Sequence, residues 1–283
     1  MIVRRTRMIR MIACDLDGTL IDESQVIRPQ ASAWLKRLSL SGVMVVLATG
    51  RSWRTALAFQ RQLGIKGPLI AHDGGYLFDT RQEVELYRRG IPLDQAKEMI
   101  DWCTDHDVMV RAYLGYRKPV VFNFFDQAHQ TYYRRPEDMV LTDDRAQLNA
   151  DPLELYMFME RDEAVARFVG AFDGHEQGYF VHVFPQPGAT KVTVNPPNVD
   201  KVDALTVLCR LMGFDTQDVM AFGDGLNDRQ MLKWVGVGVA MGHGVPDNFS
   251  HAAFVTTDVG DEDPVVQGIR WAMGEGLLAV DAG

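Results

Sequence analysis

Met11-Ile12-Ala13-Cys14-Asp15-Leu16-Asp17-Gly18-Thr19-Leu20 is the stretch that decides the fold. Four uncharged residues run straight into two carboxylates one residue apart, followed by a glycine. A short apolar run bounded by turn residues predicts a buried strand, and Asp15 marks its end. In an open α/β sheet, ligands bind just beyond the carboxyl ends of the strands. Two carboxylates at such an end can share a hard cation, which takes its oxygen ligands from one or two carboxylates, a substrate phosphate and water. With the charge so neutralised, one Asp can attack phosphorus while its neighbour carries the proton. The plainer alternative is a pair of turn aspartates with Gly18 bending the chain.

Outward from this stretch the pattern alternates. Pro29 suits a first helical turn, and Trp34, Leu35 and Leu38 recur at helical spacing up to Gly42. Val43 to Ala48 is apolar on both faces, as a strand inside a parallel sheet should be. A helix over Ser52 to Leu63 and the run Leu69-Ile70-Ala71 follow. Near the other end, Lys201 to Met212 reads as a helix capped by Asp200, and Val219 to Phe222 as a strand ending at Gly223-Asp224. A helix from Asp228 to Trp234, strands at Val237 to Ala240 and Phe254 to Thr256, and a last helix near Val265 to Met273 complete it. The order predicts an α/β fold with a doubly wound parallel sheet. The middle is richer in aromatics, with β-like runs at Val108 to Tyr113, Val120 to Phe124, Leu153 to Met159 and Tyr179 to Phe184. Two helices, Pro92 to Cys103 and Glu163 to Phe172, are expected among them. The expected domains are residues 1–83 with 189–283, and an α+β insertion over 84–188 with hinges at Arg88-Arg89-Gly90 and Pro185-Gln186-Pro187-Gly188.

Composition narrows the function classes. The 283 residues carry 29 basic and 38 acidic side chains, a net charge of −9. No global field draws such a chain to nucleic acid or an anionic membrane, so neither is an expected partner, and positive potential for an anionic substrate has to be local. No apolar run is long enough to span a bilayer. Cys14, Cys103 and Cys209 are scattered and match neither a disulfide framework nor a zinc site, which favours a reducing cytoplasm. Met8 and Met11 are alternative starts, so residues 1–7 are expected to be a frayed extension.

Three further motifs carry chemistry. Leu47-Ala48-Thr49-Gly50-Arg51 closes the second strand, where a hydroxyl and backbone N–H groups make a phosphate cradle or simply a common turn. Lys201 opens a helix, where a cation opposes the macrodipole. It is either a surface cation paired with Asp203, worth roughly 0 to 1 kcal/mol, or an ammonium aimed at a phosphate, whose removal is expected to lower catalysis while leaving the melting temperature unchanged or raised. Gly223-Asp224-Gly225-Leu226-Asn227-Asp228 follows a strand and adds two carboxylates; it lacks the last glycine of a dinucleotide fingerprint.

In that order, DLDGTL at Asp15, LATGR at Thr49, VDK at Lys201, GDGLND at Asp224 and VAMGHG at His243 resemble the haloacid dehalogenase-like phosphatases, specifically the Cof-like subfamily, over nearly the whole chain. The resemblance implies that the insertion is a cap domain. It implies Asp15 as nucleophile forming an aspartyl-phosphate and Asp17 as general acid, then base. Leu16 (through its backbone), Thr49, Gly50, Lys201 and Asn227 would hold the phosphoryl oxygens. Asp15, the carbonyl of Asp17 and Asp224 would ligate Mg2+, with Asp228 in support. The implied substrate is a small phosphorylated metabolite, a sugar phosphate or a phosphorylated cofactor. A phosphomutase of the same superfamily, told apart by dependence on a bisphosphate activator, and a non-catalytic binding protein are the alternatives. Many relatives have Asn-Gly where this chain has Asp73-Gly74, and Gly-Asn where it has Gly242-His243. Asp73 and His243 are accordingly read as ordinary loop residues or as residues that tune specificity. Arg111, Tyr113, Phe122, Tyr156 and His182 are the specificity candidates in the insertion.

Overall fold

The computed structural model describes residues 8–22, 24–124, 141–172, 179–196, 199–257 and 262–279; the proposed frayed start lies outside these residues. In chain order the elements are β1 (Met11–Cys14), α1 (Pro29–Leu40), β2 (Met44–Ala48), α2 (Trp53–Leu63), β3 (Pro68–Ala71), β4 (Tyr76–Asp79), β5 (Val84–Arg88), α3 (Leu93–Asp105), β6 (Val110–Tyr113) and β7 (Val120–Phe122). There follow β8 (Leu141–Thr142), β9 (Glu154–Met159), α4 (Asp162–Phe172), β10 (Phe180–Gln186), β11 (Ala189–Asn195), α5 (Lys201–Met212), β12 (Val219–Gly223), α6 (Arg229–Trp234), β13 (Val237–Ala240), β14 (Phe254–Val255) and α7 (Pro264–Gly274). The chain divides into two compact units, Met1–Tyr87 with Asp200–Gly283, and Arg88–Val199.

In the first unit, eight strands lie in the order β14-β13-β12-β1-β2-β3-β4-β5. β1 pairs in parallel with β2 on one side and β12 on the other, Cys14 opposite both Leu47 and Phe222. The winding direction reverses at β1, which makes the carboxyl end of that strand the crevice of the sheet. β1, β3, β12 and β13 are buried along their whole length because helices cover both faces. On one face α5 and α6 pack Ala204, Leu205, Leu208, Met231 and Leu232 against Met11, Ala13, Val46 and Ala221. On the other, Gly268 of α7 brings its backbone onto Phe222 and Val239.

The sheet is not parallel throughout. β4 runs antiparallel to β3, with Ala71 opposite Tyr76, and β5 lies beyond it at the edge. This corrects the expected boundary at residue 84, because Val84–Arg88 is an edge strand of the first unit's sheet. The expected return at residue 188 also moves. Pro187 and Gly188 form the tip of a hairpin, Gln186 pairs with Ala189, and the division falls at Val199–Asp200. The alternating run Thr190-Lys191-Val192-Thr193-Val194 is a strand of the insertion, its valines buried and paired into a second sheet.

That second sheet has the order β10-β11-β9-β6-β7-β8 and is antiparallel except at β7–β8. One face is packed: Leu155, Met157, Met159, Val192 and Val194 meet Met99, Ile100 and Cys103 of α3 and Phe168 and Phe172 of α4. The other face carries a register row of His182, Thr193, Tyr156, Arg111 and Phe122. The Arg111 guanidinium lies 4.0 Å from the centroid of the Tyr156 ring and 5.3 Å from that of Tyr113. Tyr113 and Phe122 themselves are buried, in a small cluster with Met109 and Val120.

Candidate active site

The chain leaves β1 at Cys14, and the Asp15 N–H continues the parallel ladder by donating to the Phe222 carbonyl at 3.0 Å. Asp15 is thereby held at the crevice with its side chain buried. The loop that follows wraps around the Leu16 carbonyl, which accepts from the N–H groups of Thr19, Leu20 and Ile21. Gly18 turns that loop with φ 77, and a Cβ there would lie 2.2 Å from Oδ2 of Asp224, so glycine is required by both conformation and space. Thr19 Oγ1 donates to Oδ1 of Asp224 at 3.0 Å, tying the first motif to the fourth.

Lys201 lies under this loop. Its ammonium is wholly buried and donates to Asp15 Oδ1 and to Asp228 Oδ1, both at 2.6 Å. Asp228 in turn accepts on Oδ2 from the N–H groups of Asp224 (3.0 Å) and Gly225 (2.9 Å), which closes the Gly-Asp turn upon itself. The surface alternative for Lys201 is therefore overturned. Asp203 is occupied differently: its carboxylate accepts from the Asp200 N–H while Asp200 caps Val202, a reciprocal capping box that places Lys201 at the first turn of α5. The burial also speaks against the expected unchanged melting temperature on removing Lys201, since an ammonium with two buried carboxylate partners is not a neutral loss.

The electrostatics follow from burial. Desolvation pushes the Asp15 carboxyl above its ordinary value, the Lys201 ammonium pulls against this, and the Asp228 charge adds to it. Desolvation works to lower the Lys201 pKa, but Asp15 and Asp228, with Asp73 behind them, more than offset it and hold the ammonium charged. Asp224, half-buried, is also raised, by desolvation first, with the Thr19 hydroxyl opposing. Asp15, Asp224 and Asp228 each bring one carboxylate oxygen to within 4.8 Å of the others. Three carboxylates against one ammonium leave negative charge in excess, and an all-oxygen donor set suits a hard divalent cation.

Asp17 stands apart from that trio. Its carboxylate faces the guanidinium of Arg51, which donates through Nε at 2.7 Å and again through its terminal nitrogen, while the same nitrogen reaches Gln25. Thr49 is buried at the end of β2, where its hydroxyl accepts from the Arg51 N–H at 3.1 Å. Asn227 is exposed and donates through Nδ2 to Oδ1 of Asp73 at 2.9 Å. Gly50 lies against that same Asp73 carboxylate. All the expected site residues thus lie in the first unit, with Asp15, Lys201, Asp224 and Asp228 in direct contact or within metal-ligating reach and the others around them.

Several participants escaped the sequence reading. Arg51 was legible only as the tail of a Thr-Gly turn. Asn248, buried, donates to the carbonyls of Asp224 (3.2 Å) and Gly225 (2.8 Å) from a distant turn, and no local pattern marks it. His243 and Asp73, which the sequence did single out, are tied to the site: His243 donates from Nε2 to the Gly18 carbonyl at 2.7 Å, and the Asp73 carboxylate accepts from Asn227.

Known proteins resemble this chain over most of its length. The family described as haloacid dehalogenase-like hydrolase matches residues 12–269. An HMP-PP phosphatase of Serratia proteamaculans is 30% identical, with 84% of this chain and 86% of that protein covered. A 5-amino-6-(5-phospho-D-ribitylamino)uracil phosphatase of Bacillus subtilis is 27% identical over 94% of this chain and 96% of its own. The crystal structure of a haloacid dehalogenase-like hydrolase from Bacteroides thetaiotaomicron superposes with a TM-score of 0.75 at 22% identity, covering 93% and 99% of the two chains.

Proposed function

The chain belongs to the haloacid dehalogenase-like hydrolase family, and we propose that it is a Mg2+-dependent phosphatase that hydrolyses phosphate monoesters of small metabolites through an aspartyl-phosphate on Asp15. The observation that carries this reading is the buried ammonium of Lys201 shared by Asp15 and Asp228 at the crevice of the sheet. A charge so expensive to bury is kept where a reaction uses it.

Asp15, its Oδ1 fixed by Lys201, attacks phosphorus; the bond from phosphorus to the leaving oxygen breaks, and that oxygen takes a proton from Asp17. Water then attacks the phosphorus of the aspartyl-phosphate, gives its proton to Asp17, and releases inorganic phosphate and the Asp15 carboxylate. Asp17 has to turn from Arg51 to serve either step. Thr49, Gly50, Asn227, Lys201 and the backbone of Leu16 hold the phosphoryl oxygens while this happens. Asp15, Asp17, Asp224 and Asp228 are the residues that would hold Mg2+, Asp17 by its carbonyl. Once bound there, the ion neutralises charge on the phosphoryl group and the nucleophile. The relatives named above are phosphatases, and the uracil compound named for one of them favours a phosphorylated heterocyclic metabolite as substrate. The unit Arg88–Val199 is the proposed cap that selects the leaving group.

p-Nitrophenyl phosphate and a panel of phosphorylated metabolites, assayed with Mg2+ and with EDTA, test the reading. Turnover that needs Mg2+ and no bisphosphate activator is expected. Full turnover in EDTA would sink the metal assignment, and a bisphosphate requirement would make the protein a mutase.

A further inference from the structure

Asp73 lies in the turn between β3 and β4, in left-handed backbone with φ 51. Its N–H donates to the Thr49 carbonyl at 3.1 Å, which anchors it to the end of β2. Gly74, with φ 101, presses on the start of α5 so closely that a Cβ would come within 2.1 Å of the Asp200 carbonyl. The turn is therefore wedged between two elements, and the Asp73 carboxylate goes where the backbone puts it. That place is the gap between Gly50 and Asn227. A Cβ added to Gly50 would lie 2.8 Å from Oδ2 and 2.9 Å from Oδ1 of Asp73, and Asn227 Nδ2 donates to Oδ1 at 2.9 Å.

A carboxylate and a fully ionised phosphoryl group are alike in chemistry: both are anionic and accept hydrogen bonds without donating. We infer that Asp73 tunes the affinity of the cradle, as a built-in anion that occupies the Asn227 donor and weakens the hold of the cradle on phosphate. The inference rests on the proposed phosphate cradle of Thr49, Gly50, Lys201 and Asn227. A phosphoryl group entering that cradle either displaces the carboxylate from Asn227 or sits beside a fixed like charge, and both cost affinity. The inorganic phosphate left after hydrolysis meets the same repulsion, so Asp73 favours product release over product inhibition. An amide at the same position would accept from Asn227 without the charge.

Asp73→Asn isolates that charge, because asparagine adopts left-handed backbone at least as readily and keeps an oxygen for Asn227. Asp73→Gly, equally at ease at positive φ, serves as the second variant. The probe is inorganic phosphate, titrated calorimetrically into the full chain in Mg2+ buffer, with its inhibition constant measured in parallel. About fivefold tighter binding is expected in Asp73→Asn, as removal of one partly screened like charge implies. The inhibition constant should fall by the same factor, with KM moving more than kcat. Adding Asn227→Ala should abolish most of the gain. Unchanged or weaker phosphate binding in both Asp73 variants would overturn the inference, because a residue that only shapes the turn or orients Asn227 cannot tighten binding when altered. If neither the wild-type chain nor either Asp73 variant binds phosphate at all, the cradle itself is wrong, an outcome distinct from the first.

Discussion

Lys201 and Arg51 each hold one aspartate of the Asp15-Leu16-Asp17 triplet, in opposite surroundings. The Lys201 side chain is 0% exposed and its partners Asp15 and Asp228 are 6% and 1% exposed. Arg51 is 22% exposed and Asp17 53%. A single residue of chain, Leu16, separates a sealed ion cluster from a wet ion pair. Breaking a buried cluster leaves uncompensated charge and costs several kcal/mol, whereas an exposed pair is worth about 1 kcal/mol at most. The floor of the site is thus held more firmly than its rim, as the proposed roles of Asp15 as nucleophile and Asp17 as proton carrier would require.

Asp15→Asn should show the largest effect, turnover falling to no more than a few per cent of wild type as the proposed nucleophile is lost. Because two carboxylates share one buried ammonium, removing one negative charge should leave the melting temperature unchanged or raise it. Retained kcat would remove Asp15 from the chemistry, and a large loss of stability would mean that the floor needs both charges.

Lys201→Met comes next. kcat should drop on the order of 100- to 1000-fold, as for loss of an electrostatic contact to the reacting group. In metal-free protein the fold should lose about 3 to 5 kcal/mol, the cost of stranding buried carboxylates. Denaturant melts and steady-state kinetics on the same preparation check both. Unchanged stability would place the ammonium in a wetter setting and erase the contrast with Arg51.

A third expectation uses pH. Burial raises Asp15 and Asp224 above the ordinary carboxylate range. A carboxyl with a raised folded pKa binds its proton more tightly in the folded chain, so stability is greatest below the unfolded value and declines as pH rises through the folded one. Metal-free protein should therefore melt at lower temperature as pH is raised from about 4 through neutrality. Added Mg2+ should recover the loss by binding the folded state alone. Scanning calorimetry across that range, with and without Mg2+, decides the matter, and a flat profile without metal contradicts it.

Arg51→Ala should have the smallest effect on stability, less than about 1 kcal/mol, with a fall in kcat well short of that for Lys201→Met. A melting shift equal to that of Lys201→Met would show the rim to be as rigid as the floor.

Much of this was legible in one dimension. Parallel strands buried on both faces read as unbroken apolar runs, and their ends read as the place where Asp15, Thr49 and Asp224 stop them. The antiparallel additions were harder. β4 and β5 follow β3 through a tight turn at His72-Asp73-Gly74, where three successive positive φ values hide a chain reversal that no apolar period announces. The Pro187-Gly188 hairpin tip resembles a domain hinge by composition alone, and only the pairing of β10 with β11 tells the two apart.

The sequence by itself determined the alternating α/β order, the motifs at the strand ends and the family they resemble, because hydrophobic period and turn chemistry are local properties. Tertiary structure alone decided what Lys201 is. Its neighbours along the chain, Asp200 and Asp203, offer an ordinary surface pairing, while its actual partners lie 186 and 27 residues away in sequence. It likewise decided that Asp73 faces Asn227 across 154 residues and that Asp17 turns to Arg51. Charge acts through space and the dielectric around it, and neither the distance nor the burial exists until the sheet has brought its strand ends together.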